Sequence, residues 1–135
     1  NLISAMIFAK EMSSNRLSNV KSVFCAISSI AATKPEPAII PYSTSKAGLE
    51  IMLKGLSLEI SSRRFIGIAP GWLDTEMTKS FGHIYNEDFK KKLKKQSPEG
   101  IIKVDEVVDL IINLISDESK CVNGEVVKMD GGVSK

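Results

Sequence analysis

The sequence predicts an α/β domain: a parallel sheet with helices packed on both of its faces. Three observations support this. Helical stretches alternate with short strand-like runs along the whole chain, the pattern that builds parallel sheets. The runs around VKSVFCAISS and RRFIGIAPG are apolar nearly throughout rather than at every second residue, as strands covered on both faces are. Each run also stops at a turn signal, Ser28-Ser29, Pro70-Gly71 or Gly131-Gly132.

The elements follow in order. Ile3, Met6, Ile7 and Ala9, with Lys10 and Glu11 opposite, predict a helix over about 2–13 whose apolar side faces a core. SSNRLSN reads as a loop, and β-branched and aromatic residues predict a buried strand from Val20 to Ile27. AATKPEP, with two prolines, reads as another loop. From about Tyr42 to Ser61 there is no proline, and Leu49, Met52, Leu53, Leu56 and Ile60 recur at helical spacing, which predicts a long helix. RRFIGIAPG is the second strand, and residues 72–85 read as irregular.

In NEDFKKKLKKQ, Asn86 is a candidate N-cap, with acids in the first turn and lysines later, the order that the helix dipole favours. Asp105 to Ser116 is a further amphipathic helix, and Glu125 to Met129 is the third strand. There is no internal repeat or low-complexity tract.

Composition sets the class. Of 135 residues, 43% are hydrophobic and 25% charged, the balance of a water-soluble globular protein of one domain. Eighteen basic against sixteen acidic residues leave a net charge of +2, too even to predict a nucleic-acid or membrane surface. No apolar run approaches the roughly 20 residues that span a bilayer. NLISAMIFAKEM lacks a basic leader and a cleavage site, so a cytoplasmic location is expected. Cys25 and Cys121 read as unpaired thiols, and a single histidine gives them no metal-binding set. The chain starts at Asn1 without an initiator Met and with a helical pattern under way, so it is expected to be the back part of something longer.

The chemistry centres on PYSTSKAGLE. Tyr42 stands four residues ahead of Lys46, and Ser29 thirteen residues upstream of Tyr42. Residues four apart share a helix face, about 6 Å along the axis. A free phenol ionises only near pH 10, and a neighbouring cation favours its anion, which turns a poor proton shuttle into a usable one. Parallel sheets expose reactive groups at the carboxyl ends of their strands. Ser29 and the Pro70-Gly71 pair occupy such ends, so one cleft is expected to hold them with Tyr42 and Lys46.

Taken in order, NLISAMIFAK, ISSIAA, YSTSKAG, APGWLDTEM and NGEVVKMDGG resemble the central helix, serine segment, catalytic helix, nicotinamide loop and last strand of the short-chain dehydrogenase/reductase family, of the 3-oxoacyl-carrier-protein reductase type. The resemblance spans nearly the whole chain and implies the C-terminal part of a doubly wound Rossmann fold. It implies Tyr42 as general acid/base and Lys46 as the group that assists it and holds the nicotinamide ribose. Ser29, rather than Ser28, would orient the substrate oxygen, and Asn1 would anchor a proton-relay water. Pro70 and Gly71 would shape the nicotinamide pocket, with the backbone of Leu73 and the hydroxyl of Thr75 meeting the carboxamide. Residues 77–97 would form a lid over the substrate. Lys90, Lys91, Lys92, Lys94 and Lys95 would either steer an acidic carrier protein or a phosphate-bearing substrate, or simply be exposed.

The implied activity is an NAD- or NADP-dependent interconversion of a carbonyl and a secondary alcohol. Its substrate would be small or carried on an acyl carrier, with no nucleic-acid or membrane partner. The implied assembly is a homo-oligomer, a tetramer or dimer. The family's glycine-rich turn, its NNAG-like segment and the residue that selects NAD or NADP lie ahead of Asn1, so roughly 100 further residues are expected in front. Ile66 stands where an asparagine is usual in the family, Ile101 where an arginine is common and Val104 where a proline is. The rival expectation is a non-catalytic fragment or subunit of the same scaffold that acts through its interfaces.

Overall fold

The computed structural model describes residues 2–14, 21–80, 86–97 and 99–134. Three parallel strands, β1 (Val23–Ile27), β2 (Arg64–Pro70) and β3 (Val126–Met129), lie side by side in that order. Phe24 pairs with Phe65 and Ile27 with Ile68 across the first ladder, and Gly67 pairs with Val126 across the second. β2 is central, and Phe65, Ile66 and Ile68 on it are fully buried. Pro70, which cannot donate to a ladder, is its last residue.

The period of two along the strands divides the core. Phe24, Ala26 and Phe65 face α2 (Ile40–Glu59) through Leu49 and Leu53, together with Ala9 of α1 (Leu2–Ser13). Ile66 and Ile68 point the other way, onto Val107 and Leu114 of α5 (Val104–Ile115). Helices therefore cover both faces, as the apolar runs predicted. α2 and α5 carry successive crossovers in the same direction across the sheet, but over opposite faces. The two crossovers are thus of opposite hand, an exception to a rule obeyed in about 98% of parallel connections.

α1 begins and ends as predicted but presents a different face. Ile3 is 73% exposed, and Met6, Ile7 and Phe8 are also exposed, while Leu2, Ala5, Ala9 and Met12 pack inward. The reason is close approach. A Cβ on Gly48 of α2 would lie 2.8 Å from a methyl of Leu2, so the glycine, with small Ala5 and Ala9, lets the two helices touch there. α2 starts two residues earlier than predicted because Pro41 suits a helix's first turn. Leu49, Met52, Leu53 and Leu56 pack against the core as predicted, as does Ile60 just past the helix end.

The stretch 72–85 contains a short helix, α3 (Glu76–Ser80), where the sequence reads as irregular. Its start is held by Thr75, whose hydroxyl accepts from Thr78 N–H at 3.3 Å. α4 (Glu87–Gln96) is capped as expected, with Asn86 Oδ1 accepting from Phe89 N–H at 2.9 Å. β1 is observed from Val23, and the predicted start at Val20 lies outside the described residues.

Both cysteines are free thiols. Cys25 is half-buried on β1, and burial pushes its thiol above the ordinary value; Cys121 is exposed. The thiolate is the nucleophile, so Cys121 is expected to be alkylated well before Cys25. Timed iodoacetamide labelling with peptide mapping checks this, and equal rates would contradict it. Among the described residues, no helix is long and apolar enough to cross a membrane, and no cluster of side chains is arranged to hold a metal ion.

Candidate active site

The carboxyl ends of β1 and β2 carry the predicted residues. β1 ends at Ile27, and Ser28 N–H bonds to Ile68 O at 2.6 Å, so the corner after β1 is tied to β2. Ser29 then opens a 3-10 turn over Ile30–Ala32, its Oγ accepting from Ala31 N–H at 3.2 Å. A hydroxyl that accepts there still has its own proton to donate. Ser28 differs. It is buried, and its Oγ–H donates to Glu50 Oε1 at 2.7 Å.

Tyr42 and Lys46 occupy the first two turns of α2, which packs on this 3-10 turn. The Lys46 ammonium donates to Ile27 O at 2.6 Å and lies 5.7 Å from the centre of the Tyr42 ring. Burial holds that ammonium below the usual lysine value. Among the described residues, the Tyr42 hydroxyl makes no hydrogen bond, which leaves it available to a ligand.

One strand over, Gly71 N–H bonds to Met129 O at 2.9 Å, and a Cβ on Gly71 would come within 3.1 Å of Asp130 Cα. Glycine is therefore what lets the chain leave β2 beside the end of β3. Leu73 forms a parallel bridge with Ile102, closed by Ile102 N–H to Trp72 O and Asp74 N–H to Ile102 O. In such a bridge the central residue's own N–H points away from its partner. Leu73 N–H has no acceptor among the described residues, so it is a free donor at the end of the sheet. The Thr75 hydroxyl, by contrast, is engaged with Thr78, Oγ1 to Oγ1 at 3.1 Å. Trp72 stacks edge-on against Phe89 of α4, with ring centres 4.7 Å apart, and so joins the loop after β2 to the helix beyond it.

The structure thus gathers Ser29, Tyr42 and Lys46 around the end of β1, and Pro70, Gly71, Leu73 and Thr75 around the end of β2. Asn1 lies outside the described residues. The Ser28–Glu50 bond was not foreseen. Its signals were present, since Glu50 is one turn beyond Lys46 and Ser28 continues the alternation of Phe24 and Ala26 toward α2.

The turn closing β3 depends on Asp130, which is only 7% exposed. Its carboxylate accepts from Gly132 N–H and Ser134 N–H, both at 2.8 Å, while Gly131 and Gly132 take positive φ. Burial pushes this carboxyl up, but the bonds from Ser134 and Gly132, with Lys128 nearby, outweigh it and leave the value lowered. A lowered carboxyl contributes stability above its unfolded value, and that contribution is lost as pH falls through the folded value. Asp130→Asn is expected to cost about 1–2 kcal/mol at neutral pH. That deficit should shrink as pH falls through the lowered value of the wild-type group, where it takes up a proton itself. Urea midpoints of both proteins across pH check this; a deficit constant down to the acid limit would contradict it.

Known proteins resemble this chain in sequence and in fold. A family model described as enoyl-(acyl carrier protein) reductase matches residues 1–134. The chain is 36% identical over 111 residues to a 3-oxoacyl-[acyl-carrier-protein] reductase of Chlamydia trachomatis, covering 80% of this chain and 43% of that protein. It is 32% identical over 111 residues to gluconate 5-dehydrogenase of Gluconobacter oxydans, with the same coverage of 80% and 43%. Among solved structures, gluconate 5-dehydrogenase of Burkholderia cenocepacia, in complex with NADP and tartrate, superposes with a TM-score of 0.81 at 27% identity, over 96% of this chain and 50% of that one. The chain spans about half the length of the curated relatives it matches. Its three parallel strands and flanking helices are part of a Rossmann fold, and the chain belongs to the short-chain dehydrogenase/reductase family.

Proposed function

We propose that the protein carrying this sequence is an NAD(P)-dependent oxidoreductase that interconverts a carbonyl and a secondary alcohol. The observation that carries the reading is the Lys46 ammonium, held by Ile27 O at the end of β1 and set beside the ring of Tyr42, next to the turn opened by Ser29.

The residues present fit a nicotinamide nucleotide. Leu73 N–H is an unused donor suited to a carboxamide oxygen, and Lys46 has ammonium protons beyond the one given to Ile27, suited to ribose hydroxyls. When bound in its reduced form, that cofactor supplies hydride. The protein's part is the proton: Tyr42 Oη gives its proton to the carbonyl oxygen while Ser29 Oγ–H holds the same oxygen. The carbonyl becomes an alcohol, and the phenolate left behind faces the Lys46 charge. The opposite direction returns the proton to Tyr42.

A 3-oxoacyl thioester is the first substrate we propose, in view of the Chlamydia relative's name, and a sugar acid or other small ketone is the next, in view of the two gluconate dehydrogenases. NADP is the cofactor we favour, since the Burkholderia structure contains it. α3 and α4 form the proposed lid over residues 77–97, with α4 leaning on Trp72 through Phe89. The exposed lysines of α4 suit an acidic carrier, and the exposed Ile3, Met6, Ile7 and Phe8 of α1 suit a homo-oligomer; the location we propose is the cytoplasm.

The test is fluorescence titration of the intact protein with NADPH and NADH, followed by turnover with acetoacetyl-coenzyme A and with 5-ketogluconate. Binding of at least one nucleotide and consumption of it with a ketone are expected. Binding of neither would end the enzyme reading and favour a non-catalytic role.

A further inference from the structure

We propose that Glu50 is a positioning residue for this site, acting through Ser28. The proposal rests on the oxidoreductase reading for its kinetic consequence, but not for its structural one. Tyr42, Lys46 and Glu50 follow one another at intervals of about one turn along α2. The first two face the end of β1, and the third grips it. Glu50 Oε1 accepts from Ser28 Oγ–H at 2.7 Å, and Ser28 is only 3% exposed.

Ser28 sits between the two groups that matter. On one side is Ile27, whose carbonyl receives the Lys46 ammonium at 2.6 Å. On the other is Ser29, whose hydroxyl starts the 3-10 turn. The backbone of Ser28 is tied to β2 through Ile68 O, and its side chain is tied to α2 through Glu50. These two ties fix the corner from both directions. Without Glu50, the Ser28 hydroxyl would be left unpaired in a buried place, and the corner would shift to satisfy it. A displacement of this sort moves the Lys46 anchor and Ser29 together relative to Tyr42, and misplacement by a fraction of an ångström is enough to slow a positioned reaction.

The bond needs an acceptor oxygen, not a charge, which makes the proposal selective. Glu50→Gln keeps such an oxygen; Glu50→Ala does not. In the intact protein, Glu50→Ala is expected to lower kcat about tenfold with KM changed less than about twofold, and Glu50→Gln to stay within about twofold of wild type. Ser28→Ala should resemble Glu50→Ala, and the double variant should be no worse than the worse single one, since both remove one bond.

A readout that needs neither cofactor nor substrate is amide hydrogen exchange over residues 27–33. It is expected to quicken in Glu50→Ala and to return to the wild-type rate in Glu50→Gln. Unchanged exchange in Glu50→Ala, a Gln variant as impaired as the Ala variant, or effects of Ser28→Ala and Glu50→Ala that multiply would each overturn the proposal. If the wild type turns over no carbonyl compound, the oxidoreductase reading fails, and the exchange comparison still decides the role of Glu50.

Discussion

Replacing Tyr42 with phenylalanine in the intact protein is expected to lower turnover about a thousandfold, within the range that a positioned proton donor contributes. The substitution removes one oxygen and leaves the ring. The ring's surroundings do not depend on that oxygen, which makes no hydrogen bond among the described residues, so α2 and its contact with the turn after β1 should be preserved. Lys46 keeps its bond to Ile27 O and its place beside the ring. Nucleotide affinity should therefore change much less than turnover. Paired measurements of nucleotide Kd and kcat check this, and a phenylalanine variant that turns over like wild type would show that the proton comes from elsewhere.

The second large effect is expected at Arg64, and it concerns stability. α5 has no basic residue in its last turn to meet the carbonyls that a helix leaves unpaired. Arg64, at the start of β2, supplies the charge from outside. Its Nη1 donates to Leu114 O at 2.8 Å and Ser119 O at 3.0 Å, and its Nη2 to Ile115 O at 3.0 Å and Ser116 O at 2.9 Å. A planar guanidinium can serve four acceptors in this way; a methionine serves none, and a lysine ammonium cannot reach them all. Arg64→Met should cost about 3 kcal/mol, because charge-assisted bonds are lost and partly buried carbonyls are left without donors. Arg64→Lys should recover only part of this. Thermal unfolding of the three proteins provides the comparison, and a methionine variant that melts with the wild type would contradict this account of how α5 ends.

These two sites differ in how far the sequence reveals them. Tyr42 and Lys46 are legible because their relation is local: four residues on a helix define a shared face before any tertiary structure exists. Asn86 is legible for the same reason, since a cap and the helix it serves are adjacent. The strands were readable from their unbroken apolar runs, which the two-sided core explains.

Features that depend on tertiary approach were not readable. The inward face of α1 is decided by the fit of Leu2 over Gly48, not by the larger apolar residues Ile3, Met6 and Ile7, which point outward. Arg64 looks like any basic residue ahead of a strand until α5 is laid across the sheet. The opposite hands of the two crossovers run against a general rule, and no local signal announces them. α3 was missed because it is only five residues long and follows Thr75 in a stretch without helical period.

The most direct test of the central claim, that the ends of β1 and α2 form one proton-delivering site, is a crystal structure of the intact protein with oxidised nucleotide and a 3-hydroxyacyl thioester bound. The substrate hydroxyl oxygen is expected within hydrogen-bond distance of both Tyr42 Oη and Ser29 Oγ, with Leu73 N–H meeting the carboxamide and Lys46 the ribose. A substrate oxygen held by other side chains, with Tyr42 turned away, would contradict it.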